Sequence, residues 1–431
     1  MPDLSLAYEQ PEAAAMSTPA GSSSRDHEAA LAADHPDIRL EFHERLDPLA
    51  GEWRRFEAGA DHTPFQSYGR LAKWQTHVGS RTGVRAAIVA GRDRHGELLF
   101  ILPLAVERRR SARRLRWLAS DLCDYNAPVL AKRFPQACRP DQFAALWRDV
   151  LALLRSHVGF DLVDLAKMPA KVGAQPNPFM LLPTTLHPNR AYLATLGPTW
   201  DAFYAAKRSS STRRRERRHL KQLGEHGEVR FVEIADPRDA EETLDILFRQ
   251  KARALARMGV ESPFDRPGLR EFFRDLGGDP ELRDLVHLSR LDVGPTVAAV
   301  SLGLMLGSCY YLVLSSYDDG PLSRFGPGRA HLYAVMDAAI RRGFAQFDFT
   351  IGDEPYKRDW SDTEIALHDH LAAATVLGLP ARATAAAGRR AKRFIKENPA
   401  VWHYVSRVRA LSGRAPERAA AAVERDDSEL P

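Results

Sequence analysis

The sequence predicts an α/β fold built as two similar halves. Short runs of strand formers alternate with amphipathic stretches of helical period. Pro176, Pro178, Pro183, Pro188 and Pro198 mark a boundary over residues 168–198, and 431 residues exceed one ordinary domain. Hydrophobic residues at 44% against 27% charged place the chain among globular proteins and exclude fibrous and disulfide-scaffold classes. The expected order is a disordered tail over 1–36, an α/β domain over 37–190, a second over 191–375, a basic helical extension over 376–412, and a second tail over 413–431.

In the first half, residues 67–78 read as a helix, and 86–90 and 98–105 as strands around the polar turn 91–96. Residues 141–154 follow as an amphipathic helix and 160–165 as a strand. The second half opens with a helix over 200–206 and an Arg-rich helix ending at Leu223, capped by Ser211 or Thr212. Then come a strand over 229–234, helices over 240–258 and 269–276, and a strand over 286–291. Residues 293–317 carry no formally charged side chain, long enough to span a bilayer. Gly307-Ser308 divides that run into two strand-forming pieces, 297–306 and 309–316, so it reads as a buried hairpin rather than a membrane helix. A loop with Gly326-Pro327-Gly328 leads into a helix over 329–342, closed by Gly343, and a short strand over 347–350.

A formal charge of +5 conceals three basic clusters, at residues 107–116, 207–221 and 382–414, set on an acidic remainder. That pattern favours a localised anionic ligand over general coating of nucleic acid. The three cysteines form no C-x-x-C pair, and no cationic start followed by an apolar core opens the chain, so a reducing cytoplasm is the expected compartment. Cys123 reads as a buried structural thiol, having no base or Arg partner nearby in sequence. His368-Asp369-His370 lacks an evident third ligand, so no metal is expected.

Two segments carry chemistry. Gly326, Gly328 and Arg329 stand where backbone N–H groups and a helix dipole could meet a phosphate, although Gly-Pro-Gly before a helix is also an ordinary turn. Residues 347–360 place many polar groups just past a strand end. Acyl transfer from a thioester to an amine needs a neutral amine, a donor for the oxyanion and an acid for the thiolate. Asp353 or Glu354 would orient the amine, Tyr356 would donate to the leaving group, and Lys357 would neutralise phosphate or carboxylate. The alternative is that Lys357 and Arg358 pair with Asp353 and Asp359 on a solvated turn. Arg213 and Arg217 of the basic helix would grip phosphates of a nucleotide-linked or lipid-linked substrate or bind nucleic acid, or they belong to a solvated face. No aromatic residue interleaves the Arg run to stack on bases.

The stretch CYYLVLSSYDDGPLSRFGPGRAHLYAVMDAAIRRGFAQFDFTIGDEPYKRDW, residues 309–360, resembles the C-terminal half of GNAT-like acyltransferases of cellulose and exopolysaccharide biosynthesis. Their Gly-Asp-Glu-x-Tyr-Lys run is matched by Gly352, Asp353, Glu354, Tyr356 and Lys357. KRSSSTRRRERRHLKQLGEHGEVRF resembles the basic helix opening that domain, and ILPLAVERRR with DLCDYNAPVL resembles the first half. The resemblance implies two tandem GNAT folds similar to Fem-type peptidyltransferases, with acetyl-CoA or another acyl-CoA as donor and an amine or sugar-linked acceptor. It places the cofactor pyrophosphate at Gly326, Gly328 and Arg329, and Asp124 and Tyr125 on the substrate side of the cleft, where an Asx turn closed by Asp124 is the alternative. The phosphate loop departs from the usual Gln/Arg-x-x-Gly-x-Gly/Ala pattern, with Ser323 three places before Gly326 and Arg324 one place late. Two other readings follow: a catalytically silent scaffold, or an aminoacyl-tRNA-dependent transferase. Val401, Tyr404, Val405, Val408 and Leu411 at helical spacing allow peripheral contact with an anionic membrane, against a helix packed on the domain.

Overall fold

The computed structural model describes residues 36–109, 112–257 and 259–398. The expected tails at 413–431 and over nearly all of 1–36, and the apolar series 401–411, lie outside the described residues. The first half contains β1 (Arg39–His43), α1 (Ala50–Glu57), α2 (Tyr68–Trp74), β2 (Arg85–Arg92), β3 (Leu98–Arg109), β4 (Ala112–Trp117) and β5 (Val129–Leu130). It continues through α3 (Phe134–Ala137), α4 (Phe143–His157), β6 (Leu162–Pro169), β7 (Lys171–Val172), β8 (Gln175–Pro176) and β9 (Thr184–Leu186). The proline-rich segment is structured, with prolines at its turn and strand ends fixing local corners.

The second half holds β10 (Ala191–Thr195), α5 (Trp200–Lys207), α6 (Ser210–Gly224), β11 (Val229–Ile234), α7 (Pro237–Arg257), α8 (Leu269–Gly278), β12 (Val286–Val293), β13 (Thr296–Leu306) and β14 (Cys309–Tyr317). After these come α9 (Pro327–Arg341), β15 (Gln346–Ile351), α10 (Pro355–Trp360), β16 (Thr363–Ile365), β17 (Leu367–Ala373) and α11 (Gly378–Glu397). The charge-free run is the hairpin β13–β14. The cap of α6 is Ser209 rather than Ser211 or Thr212: Ser209 keeps extended backbone and its Oγ accepts the Thr212 N–H at 3.2 Å.

Two mixed sheets form the frame, in the orders β1-β2-β3-β4-β6-β17-β9 and β11-β12-β13-β14-β15-β10-β16, with β5 beside β3. β17 lies in the first sheet, antiparallel to β6 and β9, so residues 367–373 return from the expected second domain to complete the first. Each sheet has one parallel pair at its middle, β4 with β6 and β14 with β15. Side chains alternate across the second sheet. Val300, Leu302 and Leu304 of β13 join Leu244, Leu247 and Phe248 of α7 in one core. Ser301 faces His331 of α9 at 3.5 Å, and Met305 joins Val335 and Met336 of that helix. Thus α7 and α9 cover opposite faces.

Candidate active site

The site begins where a strand pair fails to continue. β14 and β15 pair over only Cys309↔Gln346, Tyr310↔Phe347 and Tyr311↔Asp348. The register of β13 with β14 then shifts, Leu302 opposing Leu314 and Gly303 opposing Leu312, so Val313 is an inserted residue. Such a bulge bends its strand, and β14 swings away from β15. The Thr350 hydroxyl, donating to the Leu312 carbonyl at 3.0 Å, is the bond that still crosses the gap before the strands part. Past it, the β15-facing edge of β14 has no strand partner among the described residues, and a cavity of about 520 Å³ opens. Gly328, His331 and Leu332 of α9 line it from one face, and Gln250, Lys251 and Ala254 of α7 from the other. The cavity therefore passes through the sheet.

The first half has the same break but keeps it shut. β4 and β6 pair in parallel at Arg114↔Leu162 and Leu115↔Val163. Phe179 then packs against Trp117, Phe143 and Trp147 at centroid distances of 5.1, 5.3 and 5.2 Å. On the other side of Phe179, among β3, β5 and α4, a cavity of about 10 Å³ has room for one water at most. The open pair in the second half is the place for chemistry.

Of the residues singled out by sequence, Asp124, Gly328, Glu354, Tyr356 and Lys357 line the open cavity. Asp124 arrives from the first half on the loop after β4. Buried Arg70 holds that loop by donating to the Leu122 carbonyl at 2.5 Å and to Cys123 Sγ at 3.2 Å. Burial raises the Asp124 carboxyl, against the pull of Lys167 and Lys357. Burial likewise raises the Cys123 thiol, fitting the structural reading. Lys357 is buried, with Nζ 3.0 Å from Glu354 Oε2 and donating to the Ile351 carbonyl at 3.0 Å. The solvated-turn alternative fails for Lys357, whose partner is Glu354. Arg358 donates to the Tyr192 hydroxyl at 3.2 Å, and Asp359 pairs with Arg208. Gly352 makes the Lys357 contact sterically feasible: its φ is +146°, and a Cβ there would stand 2.2 Å from Glu354 Oε2 and 2.7 Å from Lys357 Nζ.

Other candidates stand apart from the cavity wall. Asp353 faces a separate cavity of about 320 Å³ with Arg190, Tyr192 and Arg358. Gly326, at φ +65°, sets the turn into α9, and Arg329 lies beside it, neither lining the open cavity. Arg217 is exposed on α6, its Nε donating to the Arg213 carbonyl at 3.3 Å, and neither lines the cavity. What α6 does contribute is position. Its buried Glu216 accepts hydrogen bonds from Tyr204 and, at 2.5 Å, from Tyr333 of α9, tying the basic helix to the helix whose first turn borders the cavity. Tyr125 is buried beneath the floor, its hydroxyl 2.9 and 2.8 Å from the two oxygens of Asp348.

Asp348, Thr350 and Lys251 were not anticipated. Asp348 also accepts the Thr350 N–H at 2.7 Å, and burial pushes its carboxyl up to about 7. Thr350 has φ +57°, an uncommon and strained conformation for a β-branched residue. Lys167, at φ +60° in β6, repeats the distortion in the strand that corresponds to β15. An aspartate inside the otherwise aromatic run Phe347-Asp348-Phe349 was the available signal for Asp348. Lys251 had none, being one of several cations on an amphipathic helix. Among the described residues no group of three or more His, Cys, Asp or Glu is placed to hold a metal ion, and no helix is long and apolar enough to cross a membrane.

Residues 210–358 match the family model of the acetyltransferase (GNAT) domain. Among solved structures, FemX aligns with a TM-score of 0.51 at 12% identity, over 76% of this chain and 96% of that one. A conserved protein of unknown function from Bacteroides thetaiotaomicron aligns with a TM-score of 0.50 at 12% identity, over 77% and 99%. Curated protein sequences give no match. Residues 210–358 of the second half are thus similar to a GNAT-type acetyltransferase domain, set within a two-sheet α/β fold.

Proposed function

We propose that the protein is an acyl-CoA-dependent N-acyltransferase that moves an acyl group, acetyl being the expected one, to an amine or sugar-linked acceptor in exopolysaccharide or cell-envelope biosynthesis. The observation that carries this reading is the cavity through the parted β14–β15 pair, with Asp124, Glu354, Tyr356 and Lys357 on its wall and the first turn of α9 at one mouth. The unpartnered edge of β14 offers backbone donors and acceptors to an extended pantetheine arm. The first turn of α9 offers its dipole to a pyrophosphate. Gly328 suits that approach, since a Cβ there would come within 2.9 Å of the Tyr317 ring.

The amine then enters from the α7 face. Asp124, with its proton affinity raised by burial, accepts a proton as the amine nitrogen attacks the thioester carbonyl carbon. The carbon–sulfur bond breaks, and the Tyr356 hydroxyl gives its proton to the departing thiolate. Lys357 and Glu354 hold the loop that carries Tyr356. The exposed arginines of α6 favour a second reading, in which the donor is carried on tRNA.

Calorimetric titration of the full chain with acetyl-CoA, and separately with tRNA, divides the two. Heat of binding with acetyl-CoA, followed by thiol release on adding an amine, is expected. No acetyl-CoA binding at millimolar ligand refutes the leading reading.

A further inference from the structure

The cavity wall on the α7 face holds a cation that the proposed chemistry does not use. Lys251 is half-buried there, and among the described residues its ammonium makes no hydrogen bond or ion pair. The carboxylate it senses most, Glu354, is already bound by Lys357. At the rim, Arg257 is taken by Asp319 and Arg266 by Asp121 at 3.5 Å, while Glu261 is exposed at the mouth. Around the floor, Lys251 shares Glu354 with Lys357, while Lys167 and Lys357 act on Asp124, and Asp121, which also faces Lys167, is held by Arg266, with Asp348 buried behind. A positive charge is left over, and it resides on the wall where the acceptor would enter.

We propose that Lys251 is an oxyanion subsite and that the acceptor carries a carboxylate or phosphate beside its nucleophilic amine. This rests on the acyl-transfer reading of the cavity, which assigns the α9 face to the donor and the α7 face to the acceptor. An ammonium removed from water without a partner is costly, and burial accordingly lowers Lys251 to about 8. An oxyanion placed against it would offset that cost and fix the acceptor's orientation at a distance from the reacting nitrogen. The acyl chain and sulfur would stay at the opening between β14 and β15.

The test uses the full chain labelled with carbon-13 at lysine Cε, with Lys251→Met to assign the resonance and Lys251→Arg to preserve the charge. Glutarate, inorganic phosphate and the uncharged control 1,5-pentanediol are titrated in turn, and the Lys251 titration midpoint is followed by NMR. One or both oxyanions are expected to move the midpoint upward while the diol does not. Binding of the effective anion should weaken by about tenfold or more in Lys251→Met and be largely retained in Lys251→Arg. Displacement by phosphate alone, or by glutarate alone, names the acceptor's anion. An unmoved midpoint with both, or equal movement of exposed lysines, overturns the proposal, as does displacement by acetyl-CoA alone. If acetyl-CoA binds and no oxyanion moves Lys251, the subsite is wrong and the transferase reading stands. If an oxyanion moves Lys251 and acetyl-CoA does not bind, the reverse holds.

Discussion

Replacing Asp348 by Asn tests the charge economy beneath the cavity. The Asp348 carboxyl is buried at 2% exposure and displaced from 3.8 to about 7. A carboxyl whose folded value is raised contributes stability below its unfolded value and loses it as pH climbs through the folded one. Over the window from about pH 4 to about pH 7 this group alone withdraws about 4 kcal/mol. Asparagine keeps an acceptor for the Thr350 N–H and a polar partner for Tyr125, but it cannot ionise. Other groups tilt the same curve. Glu57, also raised to about 7 by burial, acts in the same direction, while His187 and His331, both lowered to about 3, oppose it. The difference between wild type and Asp348→Asn removes them. Denaturant unfolding at half-unit pH steps should show the variant close to wild type near pH 4 and gaining on it up to pH 7, with no further gain above. A flat difference, or a gain that grows toward acid, would refute the assignment of a buried, proton-holding carboxyl.

Gly328→Val drives a branched side chain into Tyr317, so acetyl-CoA affinity measured by calorimetry should fall by about tenfold or more with the fold intact by circular dichroism. Tyr356→Phe should lower turnover while leaving acetyl-CoA affinity nearly unchanged, and equal turnover would remove the hydroxyl from the mechanism. Glu216→Ala leaves the Tyr204 and Tyr333 hydroxyls without their shared acceptor. It should cost about 1–3 kcal/mol in chemical denaturation, with unaltered stability arguing that α6 is not anchored through this carboxylate.

Much of the frame was legible because it is written in local pattern. The Val229–Ile234 strand, the Gly307-Ser308 hairpin and the helix after Gly326 follow from periodicity and turn chemistry, and the resemblance over 309–360 falls, but for its last two residues, inside the region matching the acetyltransferase domain. β4 was hidden because its six residues, ARRLRW, carry three arginines that read as a charge cluster. β17 was hidden for another reason: its pairing partner β6 lies some two hundred residues earlier, and no local signal states a partner at that separation. The site divides in the same way. Glu354, Tyr356 and Lys357 share one short segment and were found together, whereas Asp353 one place earlier turns to a different cavity. Lys251 becomes informative only when the fold shows what surrounds it.

The return of β17 to the first sheet bears on how the chain can be made and cut. During synthesis the N-terminal sheet waits, with the edge of β6 uncovered, until residue 373 has emerged, by which time all of β10 to β16 is available to fold. A fragment ending near residue 190 would keep that edge bare and be prone to pair with another chain. The two halves are thus stitched together by the strand that the chain makes last, which closes a sheet begun by its first half.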